Sequence, residues 1–207
     1  MKNKKLLTTL GAVALLGAIG VGSTLAYLSD TTGTVTNTFT VGNVSFDDDN
    51  ELGSGLRESK VERKDGVYVD ADEADTWTVI KNDYKNLVAG EVVYKDPTVI
   101  MAGDSEDAWV FVQITNTNNA AFADIAWNEE DWVKVEKLST DDDDDVVVYA
   151  NKNIIKKGEA STIFTSVTMD TSITGDTEIP KIEVKAFAIQ AAGFDSYDKA
   201  IEQVKFN

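Results

Sequence analysis

Trp109-Val110-Phe111-Val112-Gln113-Ile114-Thr115 decides the fold class. Val110, Val112 and Ile114 share one face of an extended chain, while Trp109 and Phe111 share the other. A period of two marks a strand, and large apolar residues on both faces mark one covered from both sides, at the centre of a layered structure. Lys181-Ile182-Glu183-Val184-Lys185-Ala186-Phe187-Ala188-Ile189 starts as apolar/charged alternation and then turns apolar throughout, so one end of its outer face is wet and the other covered. Working outward, Val92–Tyr94, Thr98–Met101, Trp132–Leu138, Val146–Tyr149 and Ser161–Met169 read as further strands. Pro97 and Pro180 each stand just before a strand, where a missing N–H removes no ladder bond. Helix signals are few. Ser196 can cap a segment in which Tyr197, Ala200, Ile201 and Val204 recur at helical spacing, and Asn82–Asn86 suits either a helical turn or a loop. Many short strands with one terminal helix predict an all-β fold: a jelly-roll-type β-sandwich with a short C-terminal helix.

The chain has 207 residues, no cysteine and no histidine. No disulfide can support the fold, so a hydrophobic core must. No Ser-His-Asp triad, Cys-His pair or His/Cys zinc site can be built, which leaves carboxylates, Lys, Tyr and Ser as the only catalytic material. The expectation is a protein without enzymatic activity; a carboxylate-dependent hydrolase is the remaining catalytic option. The net charge of −17 repels phosphate backbones and argues against a nucleic-acid partner.

Met1–Lys5 carries three lysines, Leu6–Gly22 is rich in Leu, Ala, Val, Ile and Gly, and Ser23-Thr24-Leu25-Ala26 closes the run with small residues. This is a signal-peptide pattern with Thr24 and Ala26 at −3 and −1, so cleavage is expected between Ala26 and Tyr27. The stretch Leu6–Ala26 is long enough for a retained anchor, but Thr8, Thr9, Ser23, Thr24 and four glycines dilute it and no basic cluster follows. Loss of residues 1–26 removes three positive charges from −17 and leaves a mature chain at −20. Residues 27–46 form a Thr-rich extended segment behind the cut, and residues 47–207 the sandwich domain. Within that domain, residues at about 47–75 read as an exposed acidic insertion, with a hairpin around Lys64-Asp65-Gly66-Val67-Tyr68-Val69.

Several stretches together resemble a known family. The leader with Ala26-Tyr27-Leu28-Ser29-Asp30, the run Asn37-Thr38-Phe39-Thr40-Val41-Gly42-Asn43-Val44, the turn Gly90-Glu91-Val92-Val93-Tyr94-Lys95-Asp96-Pro97-Thr98-Val99, and the final Lys185–Phe194 resemble the TasA/camelysin family. These are proteins exported through a SipW-type signal peptidase. The resemblance implies a secreted protein of a Gram-positive bacterium, placed in an extracellular matrix or at the cell surface. It implies a jelly roll that polymerises with copies of itself by donor-strand exchange, alongside other matrix or surface components. The donor would run from Tyr27 to about Phe39, with Leu28, Val35 and Phe39 as apolar anchors. The same segment could instead be an ordinary first strand folded onto its own sheet. Metalloprotease activity, described for some relatives, does not transfer, because a His-Glu-x-x-His zinc helix needs two imidazoles.

No cofactor is expected. Calcium is the one metal that the residues suggest, at Asp47, Asp49 and Glu51 with Glu58 in the twelfth position, and at Asp141, Asp143 and Asp145. Leu52 occupies the place where a calcium loop needs glycine, and rows of like charge are more often solvated loops. Trp109 belongs to the core by its alternation; Trp77, Trp127 and Trp132 could offer a stacking surface, though packing at the core edge is the simpler role for the last two. A monomeric cell-surface module binding glycan or protein, through the acidic loops or Trp127 and Trp132, is the alternative to a fibre subunit.

Overall fold

A computed structural model describes residues 29–31, 44–48, 55–71, 76–139 and 146–205, the first of these groups as backbone only. The strands in chain order are β1 (Ser29–Thr31), β2 (Leu56–Ser59), β3 (Val61–Lys64), β4 (Val67–Asp70), β5 (Trp77–Val79), β6 (Val92–Tyr94) and β7 (Thr98–Ile100). They continue as β8 (Ala108–Thr115), β9 (Phe122–Trp127), β10 (Trp132–Lys134), β11 (Val146–Asn151), β12 (Ala160–Thr162), β13 (Phe164–Met169) and β14 (Glu183–Gln190), followed by one short helix, α1 (Tyr197–Ala200). The chain is therefore all-β with a short C-terminal helix, arranged as a sandwich.

One layer is a five-stranded sheet in the order β1-β14-β8-β11-β10. β8 lies at its centre, paired antiparallel with β14 from Gln190↔Ala108 to Glu183↔Thr115 and with β11 on its other side. Its two faces feed two cores, as the alternation requires. Val110, Val112 and Ile114 join Val147, Tyr149, Ala186 and Ala188 in the main core, packed against Val99, Ile125, Phe164 and Val167 of the other sheets. Those other sheets are β12-β7-β2-β5 and β6-β13-β9. Trp109 and Phe111 point the opposite way, with Phe187 and Ile189, and are covered by Ala200, Ile201 and Val135. A third small cluster, Tyr68, Val93 and Met169 with Tyr84 and Leu87, lies beneath the β3–β4 hairpin.

The structure departs from the sequence expectation at several points, each with a local cause. Trp132–Leu138 is not one strand: after β10 the chain makes a 3-10 turn at Glu136–Leu138. Ser139 stabilises it, its hydroxyl donating to Val135 O at 3.0 Å and accepting from Val148 N at 3.1 Å. Ser161–Met169 breaks at Ile163, whose N–H donates to Pro97 O and whose carbonyl accepts from Asn128 N. The chain there passes from the β7 sheet into the β6/β9 sheet. Asn82–Asn86 is a loop. Ser196 precedes α1 as expected but caps it without its side chain; its carbonyl accepts from Lys199 N and Ala200 N.

Two segment boundaries also move. Val44 and Phe46 are core residues, and Phe46 bridges Met101, so residues 44–46 belong to the sandwich and not to the extended N-terminal segment. Within residues 47–75, β3 is exposed and the Asp65-Gly66 turn carries φ of +51° and +89°, the double-positive pattern of a tight hairpin. β2, however, is no part of an exposed insertion: Arg57, Glu58 and Ser59 are buried between β7 and β5. Gly55 shows why glycine stands there, since a Cβ at this position would lie 2.3 Å from the Phe46 Cβ and 2.9 Å from Ile100 O. Among the described residues no helix is long and apolar enough to cross a membrane.

Candidate functional site

The N-terminal edge of the five-stranded sheet is the first candidate. β1 pairs antiparallel with β14 of the same chain, with Ser29 opposite Ile189, Asp30 opposite Ala188 and Thr31 opposite Phe187. β14 is locked on its other side to β8 over its whole length. Residues 29–31 thus form an edge strand on their own chain's sheet, the arrangement of an ordinary first strand, beside a β14 that is fully paired on its other side. Ala26, Tyr27, Leu28, Val35 and Phe39 lie outside the described residues.

The Gly90–Val99 stretch forms a buried polar network instead of an open site. Glu91 accepts from both Arg63 Nη2 (3.1 and 3.2 Å) and Val88 N (2.9 Å). Asp96 accepts from Ser59 N at 2.9 Å, from Ser59 Oγ at 2.7 Å and from the Tyr94 hydroxyl at 3.2 Å. Lys95 forms an ion pair with Glu58, whose other oxygen accepts from Asn82 Nδ2 at 3.0 Å. The same Nδ2 donates to Ser59 O at 2.8 Å, and Asn82 Oδ1 accepts from Val61 N at 3.1 Å. Buried carboxylates need such partners, and each carboxylate here is held by structural donors. Burial raises the Asp96 carboxyl against the hydrogen bonds from Ser59 and Tyr94 that lower it. It raises the Tyr94 phenol to about 12 and pushes Tyr84 up further, with Glu58 and Asp96 adding to the effect on Tyr84. These phenols stay neutral donors at ordinary pH. Arg63 and Ser59 carried no sequence signal, standing in the stretch expected to be an exposed insertion, and Asn82 marked only a helical turn or loop.

Two positions of the candidate calcium loop are described, and both have protein partners. Asp47 faces Arg57 at 3.3 Å, and Glu58 is taken by Lys95 and Asn82. Asp49, Glu51, Asp141, Asp143 and Asp145 lie outside the described residues. Among the described residues no three His, Cys, Asp or Glu side chains converge on a common point.

The tryptophans divide. Trp132 is buried, its indole N–H donating to Thr162 O at 3.0 Å, so it offers no contact surface. Trp109 is also buried, while Trp77 is half-buried on β5. Trp127 is half-buried at the end of β9, stacked on Tyr149 with ring centroids 4.4 Å apart at 20° and edge-on to Phe164 at 5.3 Å. It walls a cleft of about 270 Å³ together with Phe122, Asp124 and Tyr149. Thr117, Asn118 and Lys134 close the polar side. The cleft lies at the seam of the sandwich, where edge strand β9 of one layer faces β10 and β11 of the other. Burial, reinforced by Glu129 and Glu136, raises the Tyr149 phenol to about 12.

No family model, no curated protein and no solved structure matches this chain.

Proposed function

We propose that this protein is an exported structural subunit that polymerises head to tail through its N-terminal segment into extracellular fibres or a biofilm matrix. The observation that carries the reading is the place of β1, three residues long, on the edge of the sheet beside β14 and starting two residues past the expected cleavage bond. A terminal edge strand can be traded between copies while its main-chain hydrogen bonds are kept, because the acceptor edge is the same in each copy. The exchange joins different surfaces of successive subunits, which gives an open filament and not a closed ring. The donor runs from Tyr27 to about Phe39, with Leu28, Val35 and Phe39 setting register. Signal peptidase cleavage after Ala26 frees this end, which couples export to assembly. The leader, the Gly90–Val99 turn and the final strand, in the order the TasA/camelysin resemblance requires, support the same reading.

The test is electron microscopy of the mature protein, its N-terminus verified by mass spectrometry as Tyr27, beside a form lacking Tyr27–Thr36. Filaments from the first and folded monomers from the second are expected. Polymerisation of the truncated form, or a mature protein that stays monomeric at high concentration and salt, overturns the proposal.

A further inference from the structure

We propose that the cleft at the β9/β10–β11 seam is a subsite for one neutral sugar ring. The inference is independent of assembly through the N-terminus. A sugar ring presents an apolar C–H face and a rim of hydroxyls, so its site needs an aromatic surface beside side chains that both donate and accept. Both are here. Trp127 and Phe122, each half-buried, supply the apolar wall. Tyr149 backs one side of the indole at 4.4 Å and fixes it before any ligand arrives, which lowers the ordering cost of binding.

Asp124 is exposed on β9 and is among the residues that line the cleft. Thr117 and Asn118 have protein partners, but a hydroxyl and an amide each hold more donor and acceptor positions than one bond uses. Lys134 brings a positive charge that it shares with Glu136 at 3.4 Å. Asp124 and Lys134 leave the lining without net charge, and the acidic surface of the molecule disfavours anionic polymers, so the ligand is neutral. A volume of about 270 Å³ sits below the usual range for drug-sized ligands and suits one ring, with affinity on the order of millimolar.

Glucose, galactose, mannose and N-acetylglucosamine, each titrated to about 100 mM into the mature protein, are followed by the four indole N–H resonances in 15N-labelled protein. At least one sugar is expected to shift the Trp127 resonance saturably and leave that of buried Trp132 in place. Asp124→Ala, an exposed change, is expected to weaken binding about tenfold with the circular dichroism spectrum unchanged. Trp127→Phe, which keeps a ring against Tyr149, weakens it less than Trp127→Ala. Absence of a saturable shift with all four sugars overturns the assignment, as does a shift that survives Asp124→Ala undiminished. A peptide of residues 27–39 that shifts Trp127 where no sugar does also overturns it, and makes the cleft a strand acceptor.

Discussion

Asp96 is 3% exposed and accepts from Ser59 N, Ser59 Oγ and the Tyr94 hydroxyl. Burial raises its carboxyl above the ordinary 3.8 despite those hydrogen bonds, so between 3.8 and the raised value the folded chain holds a proton that the unfolded chain has released. The stability linked to this proton is fully present below 3.8 and is lost as pH rises through the folded value. Urea unfolding of the wild type and Asp96→Asn over a pH series should therefore show the wild-type advantage shrinking as pH rises across that window. A flat difference would mean that Asp96 titrates normally. Asp96→Ala also strands the Ser59 donors and should cost about 1–3 kcal/mol at low pH, a cost that shrinks across the same window. Gly55 is a second residue-scale case. Its missing Cβ admits Phe46 and Ile100 O, so Gly55→Ala forces main chain apart in a packed layer. Denaturant unfolding should show a loss of about 1–3 kcal/mol.

Arg63 helps tie the β3–β4 hairpin to the body, beside Tyr68, whose buried ring packs with Val93 and Met169 and whose hydroxyl donates to Lys85 O at 3.0 Å. Arg63 donates to Gly66 O across its own turn, to Lys85 O at 2.7 Å and Asn86 O at 2.8 Å in the following loop, and to buried Glu91. Its planar fork makes these contacts simultaneously, which an ammonium cannot do. Arg63→Ala should cost about 2 kcal/mol, below the figure for a fully buried pair because Arg63 is partly solvated, and should speed amide exchange in residues 61–70 first. Arg63→Lys should recover only part of the loss. The central strands β8 and β14 and the short β6 were legible in sequence because alternation reports burial directly. β2 was not, since Arg57, Glu58 and Ser59 are buried in pairs with Asp47, Lys95 and Asp96, and paired ions look like solvated ones until their partners are known. Gly55 falls in the stretch expected to be an exposed insertion, yet its missing Cβ serves a close approach to Phe46 and Ile100. Of the seam cleft only Trp127 stood out. Phe122, Asp124 and Tyr149 join it through the meeting of β9 with β11, which no spacing along the chain encodes.

At the scale of the whole molecule, charge decides what association costs. The sequence carries −17, and the mature chain proposed here carries −20 with no histidine to soften it near neutral pH. Bringing such subunits together at low ionic strength sets many like charges within one screening length, about 30 Å at 0.01 M salt and about 10 Å at 0.1 M. Donor-strand bonds and apolar anchors act at contact, whereas repulsion acts earlier, at encounter, so salt should change the rate of filament growth more than filament structure. Light scattering of the mature protein should show growth accelerating between about 0.01 and 0.5 M NaCl, with the same fibre form by microscopy at both ends. Calcium chloride at matched ionic strength separates screening from binding. Equal rates in the two salts would leave the acidic stretches around Asp47–Glu51 and Asp141–Asp145 as solvated charge. Faster growth in calcium, lost on replacing Asp141, Asp143 and Asp145 with Asn, would make that loop a cation site between subunits. Growth that slows with salt would mean attraction between charged surfaces drives assembly, and a donor strand gaining its affinity from main-chain bonds would no longer fit.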